Sequence, residues 1–175
     1  MDRLVLGNII SLVGSIFLFF SCVAKTKRTI AVYQLLQCIV LTISQIVFDK
    51  GGGAVSMGAA GLRNLLIASG HYGFYTMVAV ALTTLVLGIS LNGAGLIGLM
   101  PVGAGVFYTV SLYKAKDAIA VKLALSALLW VWIVYSALIG DIFGTISNAA
   151  AQALNLITLI KLRKERKGGN NWSST

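Results

Sequence analysis

GGGAVSMGAAGLRNLLIASG, residues 51–70, sets a guanidinium and a carboxamide, Arg63 and Asn64, between two runs hydrophobic enough for a membrane. Centring an arginine in a bilayer costs about 3 kcal/mol on insertion scales, so such residues face a bundle interior or a watery cavity. Just before it, Gly58, Ala59, Ala60 and Gly61 are small enough to let neighbouring backbones approach closely in lipid. The stretch therefore reads as a central transmembrane helix from Ala54 to Ser69, with Arg63 and Asn64 as candidate site residues. A second reading puts Arg63 near a helix end, from which its long side chain snorkels to the headgroups. Against that, Arg63 stands roughly 9 Å from the nearer end at 1.5 Å per residue, and its Cβ points toward the helix N-terminus, away from that end.

The rest of the chain has the composition such a helix needs. Of 175 residues, 58% are hydrophobic and 11% charged, and the mean hydropathy is +0.90. Soluble domains carry about 25% charged residues, so this is an all-α integral membrane protein. At about 20 residues per span the chain holds at most about seven spans, which leaves nothing for a soluble domain. The net charge of +9 is not a nucleic-acid signature, because the basic residues gather at connections and near the C-terminal end, beside apolar runs. Cys22 and Cys38 lie in apolar runs and His71 in a connection, so no metal cluster and no cofactor is implied. The run Leu4 to Phe20 reads as a retained helix rather than a cleaved signal, since Lys25, Lys27 and Arg28 follow at once.

Seven apolar segments follow in order: Leu4–Val23, Thr29–Phe48, Ala54–Ser69, Gly73–Leu91, Gly93–Tyr113, Ala118–Ile139 and Ile142–Ile160. Asp49 to Gly53 reads as a flexible connection. Gln34, Gln37 and Gln45 in the second segment each need hydrogen-bond partners in lipid and so face the interior. The fourth segment is the least polar and reads as a spacer. Pro101, the only proline, removes a backbone hydrogen bond in the fifth and is a candidate hinge. Asn148, Gln152 and Asn155 share one face of the seventh. Ten lysines and arginines (Lys25, Lys27, Arg28, Lys114, Lys116, Lys161, Arg163, Lys164, Arg166 and Lys167) fall on one side, against Arg3 and Lys50 on the other. That asymmetry predicts an N-terminus outside and a cytoplasmic C-terminus, hence an odd number of spans.

Shifted by 89 positions, Gly14 falls on Gly103, Lys25 on Lys114, Lys27 on Lys116 and Gly51 on Gly140; a two-residue insertion then brings Asn64 onto Asn155. This predicts a parallel 3+1+3 repeat: residues 1–70 as one three-helix unit, 71–92 as a spacer helix, 93–165 as the second unit, and 166–175 as a cytoplasmic tail, disordered from Gly168 onward. Two such units around a midplane cavity are an arrangement found in transporters.

The run Gly140-Asp141-Ile142-Phe143-Gly144-Thr145, with Trp132 before it, Asn155 ten residues after the threonine, a basic C-terminal run and Arg63 in the third helix, resembles the YgjV-type bacterial inner-membrane proteins over most of the chain. In helical layout it is similar to the SWEET, PQ-loop and PnuC transporters, which implies a 3+1+3 bundle. The Pro-Gln dipeptide of PQ-loop proteins is absent, and Pro101 is the candidate for a matching hinge.

All five acidic residues, Asp2, Asp49, Asp117, Asp141 and Glu165, fall at helix ends or in connections. No nucleophile, base or metal set lies within reach for catalysis, so the chain does not read as an enzyme. With no carboxylate at mid-membrane to carry a coupling ion, a facilitator is the simpler expectation. Arg63, Asn64, Asn148, Gln152, Asn155 and Trp132 together suggest a substrate-binding cavity for a small polar organic solute, whose planar, anionic or amide-bearing end suits the Arg63 fork. Trp130 points away from Trp132 and reads as a lipid or interface anchor. The competing class is a membrane scaffold or partner subunit in which the same amides only seal helix contacts. Homo-oligomers are compatible with both.

Overall fold

The computed structural model describes residues 2–93 and 95–169. These form seven helices and no strand: α1 (Arg3–Val23), α2 (Lys27–Val47), α3 (Gly51–Ala68), α4 (Phe74–Ser90), α5 (Gly95–Lys114), α6 (Ala118–Ile139) and α7 (Ile142–Gly169). α1, α2, α5, α6 and α7 are each long and apolar enough to cross a membrane. α4 is apolar but has 17 residues, and the 18-residue α3 carries Arg63 and Asn64. The continuation of α7 through Gly169 corrects the disorder expected from Gly168; residues 170–175 lie outside the described residues.

Six helices close a ring in which each packs on its neighbours in the order α1, α2, α3, α5, α6, α7 and back to α1. α4 stands outside it, against α3 and α5. The odd-numbered ring helices run in one direction. Near the start of α7 the Phe143 N–H donates to Asn8 Oδ1 of α1 at 3.2 Å, and beyond their far ends Lys25 pairs with Glu165 at 2.9 Å. Likewise a Cβ on Gly52 of α3 would stand 2.8 Å from the Gly98 carbonyl of α5, while Arg63 reaches Thr109. All four odd-numbered helices thus start on one face and end on the other, the basic one.

Outward-facing Leu12, Ile16, Ile39, Ile43, Leu138 and Ile157 are exposed. An exposed apolar coat over a buried polar interior inverts a water-soluble protein, and it is the arrangement that lipid favours.

The connections are short and alike at two places. Thr26 and Asp117, 91 positions apart, both cap a helix start, accepting from the N–H three residues on at 3.2 and 2.9 Å. At the α2–α3 corner, N–H groups of Asp49, Lys50 and Ala54 donate to the carbonyls of Ile46, Gln45 and Lys50; at the α6–α7 corner, Gly140, Asp141 and Thr145 donate to Ala137, Ser136 and Asp141. Both corners turn through positive φ, 57° at Asp49 and 79° at Gly140. Each of these pairings steps by 91 positions rather than 89: Lys114 is the last residue of α5, whereas Lys25 follows the end of α1.

α3 starts at Gly51, so the glycine run is helix and not a flexible connection. A Cβ on Gly51 would meet the Leu91 carbonyl, and one on Gly53 would meet the Gln45 and Tyr135 side chains. Close approach, rather than flexibility, is what these glycines provide.

Candidate functional site

The six ring helices enclose a cavity of about 60 Å³ whose wall includes Arg63, Asn64, Trp132 and Asn148, and α4 adds nothing to it. Arg63 is 2% exposed, so the inward reading holds and snorkelling does not. Its guanidinium lies 4.7 Å from the Tyr108 ring centroid, within cation–π range. Nε and Nη2 both donate to Asn64 Oδ1 at 3.4 Å, and Nη1 donates to Thr109 Oγ1 at 3.2 Å. These are long bonds to neutral acceptors. Among the described residues no carboxylate pairs with Arg63, since both ion pairs, Lys25–Glu165 and Arg166–Asp117, are at the surface.

Asn64 carries on from there, its Nδ2 donating to Cys38 Sγ at 3.7 Å. Gln34 and Tyr108 bond each other across the wall at 3.2 Å, and Tyr135 donates to Gln45 Oε1 at 3.0 Å. Gln34, Gln37 and Gln45 all line the cavity, as their need for partners in lipid implies. Trp132 is 6% exposed and Trp130 59%, which separates the cavity tryptophan from the outward one.

Gln152 and Asn155 do not line this cavity. They sit farther along α7 against α6, where Gln152 Nε2 donates to Ser126 Oγ at 2.6 Å and Asn155 Nδ2 to the Lys122 carbonyl at 2.9 Å. The three α7 amides do share a face, but the cavity reaches only Asn148. Pro101 lies inside an unbroken α5, its carbonyl accepting from Ser56 Oγ at 2.7 Å.

Two charged groups escape the sequence reading. Asp141 belongs to a connection, as expected, yet that connection folds inward: the residue is 3% exposed and lines the cavity. Burial holds its carboxyl above the ordinary range, while hydrogen bonds from the Gly144 N–H and Ser11 pull it down by less. Lys122, in the second turn of α6, is fully buried and donates to the carbonyls of Ser21 and Cys22 at the end of α1. A lone lysine inside an apolar run was the available signal. Tyr72, in the α3–α4 connection, donates to the Thr109 carbonyl at 2.7 Å; burial pushes its phenol up to about 12, against the opposing pull of Arg63. Among the described residues no group of three His, Cys, Asp or Glu side chains is placed to hold a metal.

Asp141, just before α7, and Arg63, the thirteenth residue of α3, both line the cavity.

No curated protein and no solved structure matches the chain. The family model for the bacterial inner membrane protein Imp-YgjV matches residues 5–166, and the chain belongs to that family of multi-pass inner membrane proteins.

Proposed function

We propose that this chain is a carrier, rather than an enzyme, for a small polar organic solute that passes through the cavity within the ring. The observation that supports it most is Arg63: a buried guanidinium on a cavity wall, bonded among the described residues only to neutral groups. Three of its five N–H groups are engaged, which leaves two for a planar, anionic or amide-bearing group of the solute. Tyr108 and Trp132 offer aromatic faces on the same wall.

The proposal includes the parallel 3+1+3 arrangement, with α1–α3 and α5–α7 as equivalent units and α4 as the spacer. Two features favour it. The corners recur at 91 positions, and the closed ring maps onto itself when α1, α2 and α3 are exchanged for α5, α6 and α7. It also includes seven crossings with the basic face in the cytoplasm, for which the lysine and arginine asymmetry is the argument.

About 60 Å³ holds a few waters, far below the roughly 300 Å³ at which ligand sites begin. The ring is therefore in a closed form, and carrying a solute requires its two units to part. The same small volume favours the second reading, a scaffold whose polar groups only seal contacts. Uptake into proteoliposomes across a metabolite panel separates the two. The carrier reading expects at least one solute to enter, with Arg63→Ala and Asn64→Ala abolishing uptake and Asn155→Ala preserving it. If no solute moves, or Arg63→Ala transports like the parent, the scaffold reading replaces it.

A further inference from the structure

Asp141 begins a chain of hydrogen bonds whose protons can be counted. Its Oδ2 contacts Ser11 Oγ at 2.9 Å, Ser11 Oγ contacts Ser44 Oγ at 2.8 Å, and Ser44 Oγ donates to the Gly7 carbonyl at 2.9 Å. All four residues are buried, so each link lies out of bulk water. Three links join four oxygens, and each link needs one proton. The two hydroxyls bring one each and the carbonyl brings none. With Asp141 ionised, one link is left without a proton and two oxygens face each other at hydrogen-bond distance. With Asp141 protonated, its hydroxyl donates to Ser11, Ser11 to Ser44 and Ser44 to Gly7, and every link is filled.

The surroundings agree. From α7 the Gly144 N–H donates to Oδ1 at 2.7 Å; α1 presents Ser11, α2 presents Ser44, and the titratable group facing from α6 is the neutral Tyr135 phenol. None of these is a cation, so no opposite charge offsets a carboxylate there. Asp141 also lines the same cavity as Arg63. Its direction of titration, raised by burial, fits the count.

We infer that Asp141 is a proton-binding site on the wall of the translocation cavity, loaded from the face on which α1 starts, and that solute passage is coupled to proton movement through it. This rests on the carrier reading and replaces the expectation of simple facilitation. The linear sequence places no carboxylate at mid-membrane, but a corner that folds inward brings one to the cavity wall. On binding, one proton from water joins Asp141 Oδ2; on release the same proton returns to water, so no other reactant is required.

Infrared difference spectroscopy tests the site on the detergent-purified chain without any solute. A protonated-carboxyl band that persists above the ordinary carboxylate titration range is expected, absent in Asp141→Asn, which keeps a cap for α7. Ser44→Ala is the discriminating variant. It leaves one hydroxyl proton for one link, which suits the ionised carboxylate, so the band's titration midpoint should fall by at least one pH unit. No band in the parent, or an unmoved midpoint in Ser44→Ala, overturns the proton site. In proteoliposomes an inward proton gradient should raise uptake several-fold in the parent and not in Asp141→Asn. Uptake indifferent to the gradient overturns coupling while the carrier reading stands. A normal band with no solute uptake overturns the carrier reading and leaves the proton site.

Discussion

Tyr135 donates its hydroxyl proton to Gln45 Oε1 at 3.0 Å, joining α6 to α2, which are not neighbours around the ring. Both side chains are buried, so the bond spans the interior and ties α6 to α2 across the ring. Gly53 lets them meet, because a Cβ there would collide with the amide oxygen of Gln45 and stand 2.7 Å from the Tyr135 hydroxyl. Gly53→Ala should therefore break this bond and destabilise the chain by about 1–3 kcal/mol, the usual range for overpacking. Tyr135→Phe removes the bond without a clash and should cost about 1 kcal/mol. Thermal unfolding in detergent, followed by tryptophan fluorescence, measures both; a Gly53→Ala variant as stable as Tyr135→Phe would contradict the close approach.

Asp141 gives stability a pH dependence of definite sign. Its folded pKa is raised, so between the unfolded value, about 3.9, and the folded one the native state holds the extra proton. Stability then falls as pH rises through that window. The parent should melt at a higher temperature at the acid end of the window than above it, by an amount that Asp141→Asn removes. An unchanged slope in Asp141→Asn would assign the pH dependence to another group.

Seven crossings with the basic face inside predict a definite reporter pattern. Alkaline phosphatase fused after Lys50 or Gly140 should be active, and fused after Tyr72, Lys116 or Lys167 inactive, with a cytoplasmic fluorescent reporter giving the reverse. Fusions after Tyr72 and Asn92 bear on α3 and α4. α3 is less apolar because of Arg63 and Asn64, and α4 spans only about 25 Å at 1.5 Å per residue. The same location on both sides of α4 would remove it as a crossing and with it the odd count.

The helices were legible because hydropathy determines where a chain can cross lipid, and six of the seven start within two residues of expectation. The start of α3 was not, because three glycines ordinarily loosen a helix, and only the partners at Leu91, Gly98, Gln45 and Tyr135 show why they are needed. Arg63 and Asn64 were legible from the cost of placing them in lipid. For Asn155 the linear pattern shows an inward-facing amide but not its partner: it lies on α7 beyond the cavity lining, and its amide donates to the Lys122 carbonyl. Asp141 was read by its place in the chain, between two helices, and no linear pattern reveals that this corner folds inward.

Two lysines cross the ring in a reciprocal manner at the basic face. Lys27, at the start of α2, donates to the carbonyls of Leu112 and Ala115 at the end of α5, at 2.8 and 3.1 Å. Lys122 of α6 donates to Ser21 and Cys22 at the end of α1. The last carbonyls of a helix have no partner within it, and a cation there also meets the negative end of the helix dipole. α2 therefore closes the end of α5, and α6 the end of α1. The exposed pair Lys25–Glu165 on the same face adds little, since surface ion pairs contribute about 0–1 kcal/mol. Lys122→Met keeps most of the apolar stem and removes the ammonium, leaving buried carbonyls without a donor, at a cost of about 1–3 kcal/mol or roughly 2–10 °C in Tm at this chain length. Lys27→Met should cost less, because its site is only partly buried. The two serve different helix ends, so the double variant should show the sum within about 0.5 kcal/mol. If carriage requires the two units to part at this face, the variants should also admit solute faster per folded molecule. Slower uptake at equal folded amount would show that the lysines support the open form rather than the closed one.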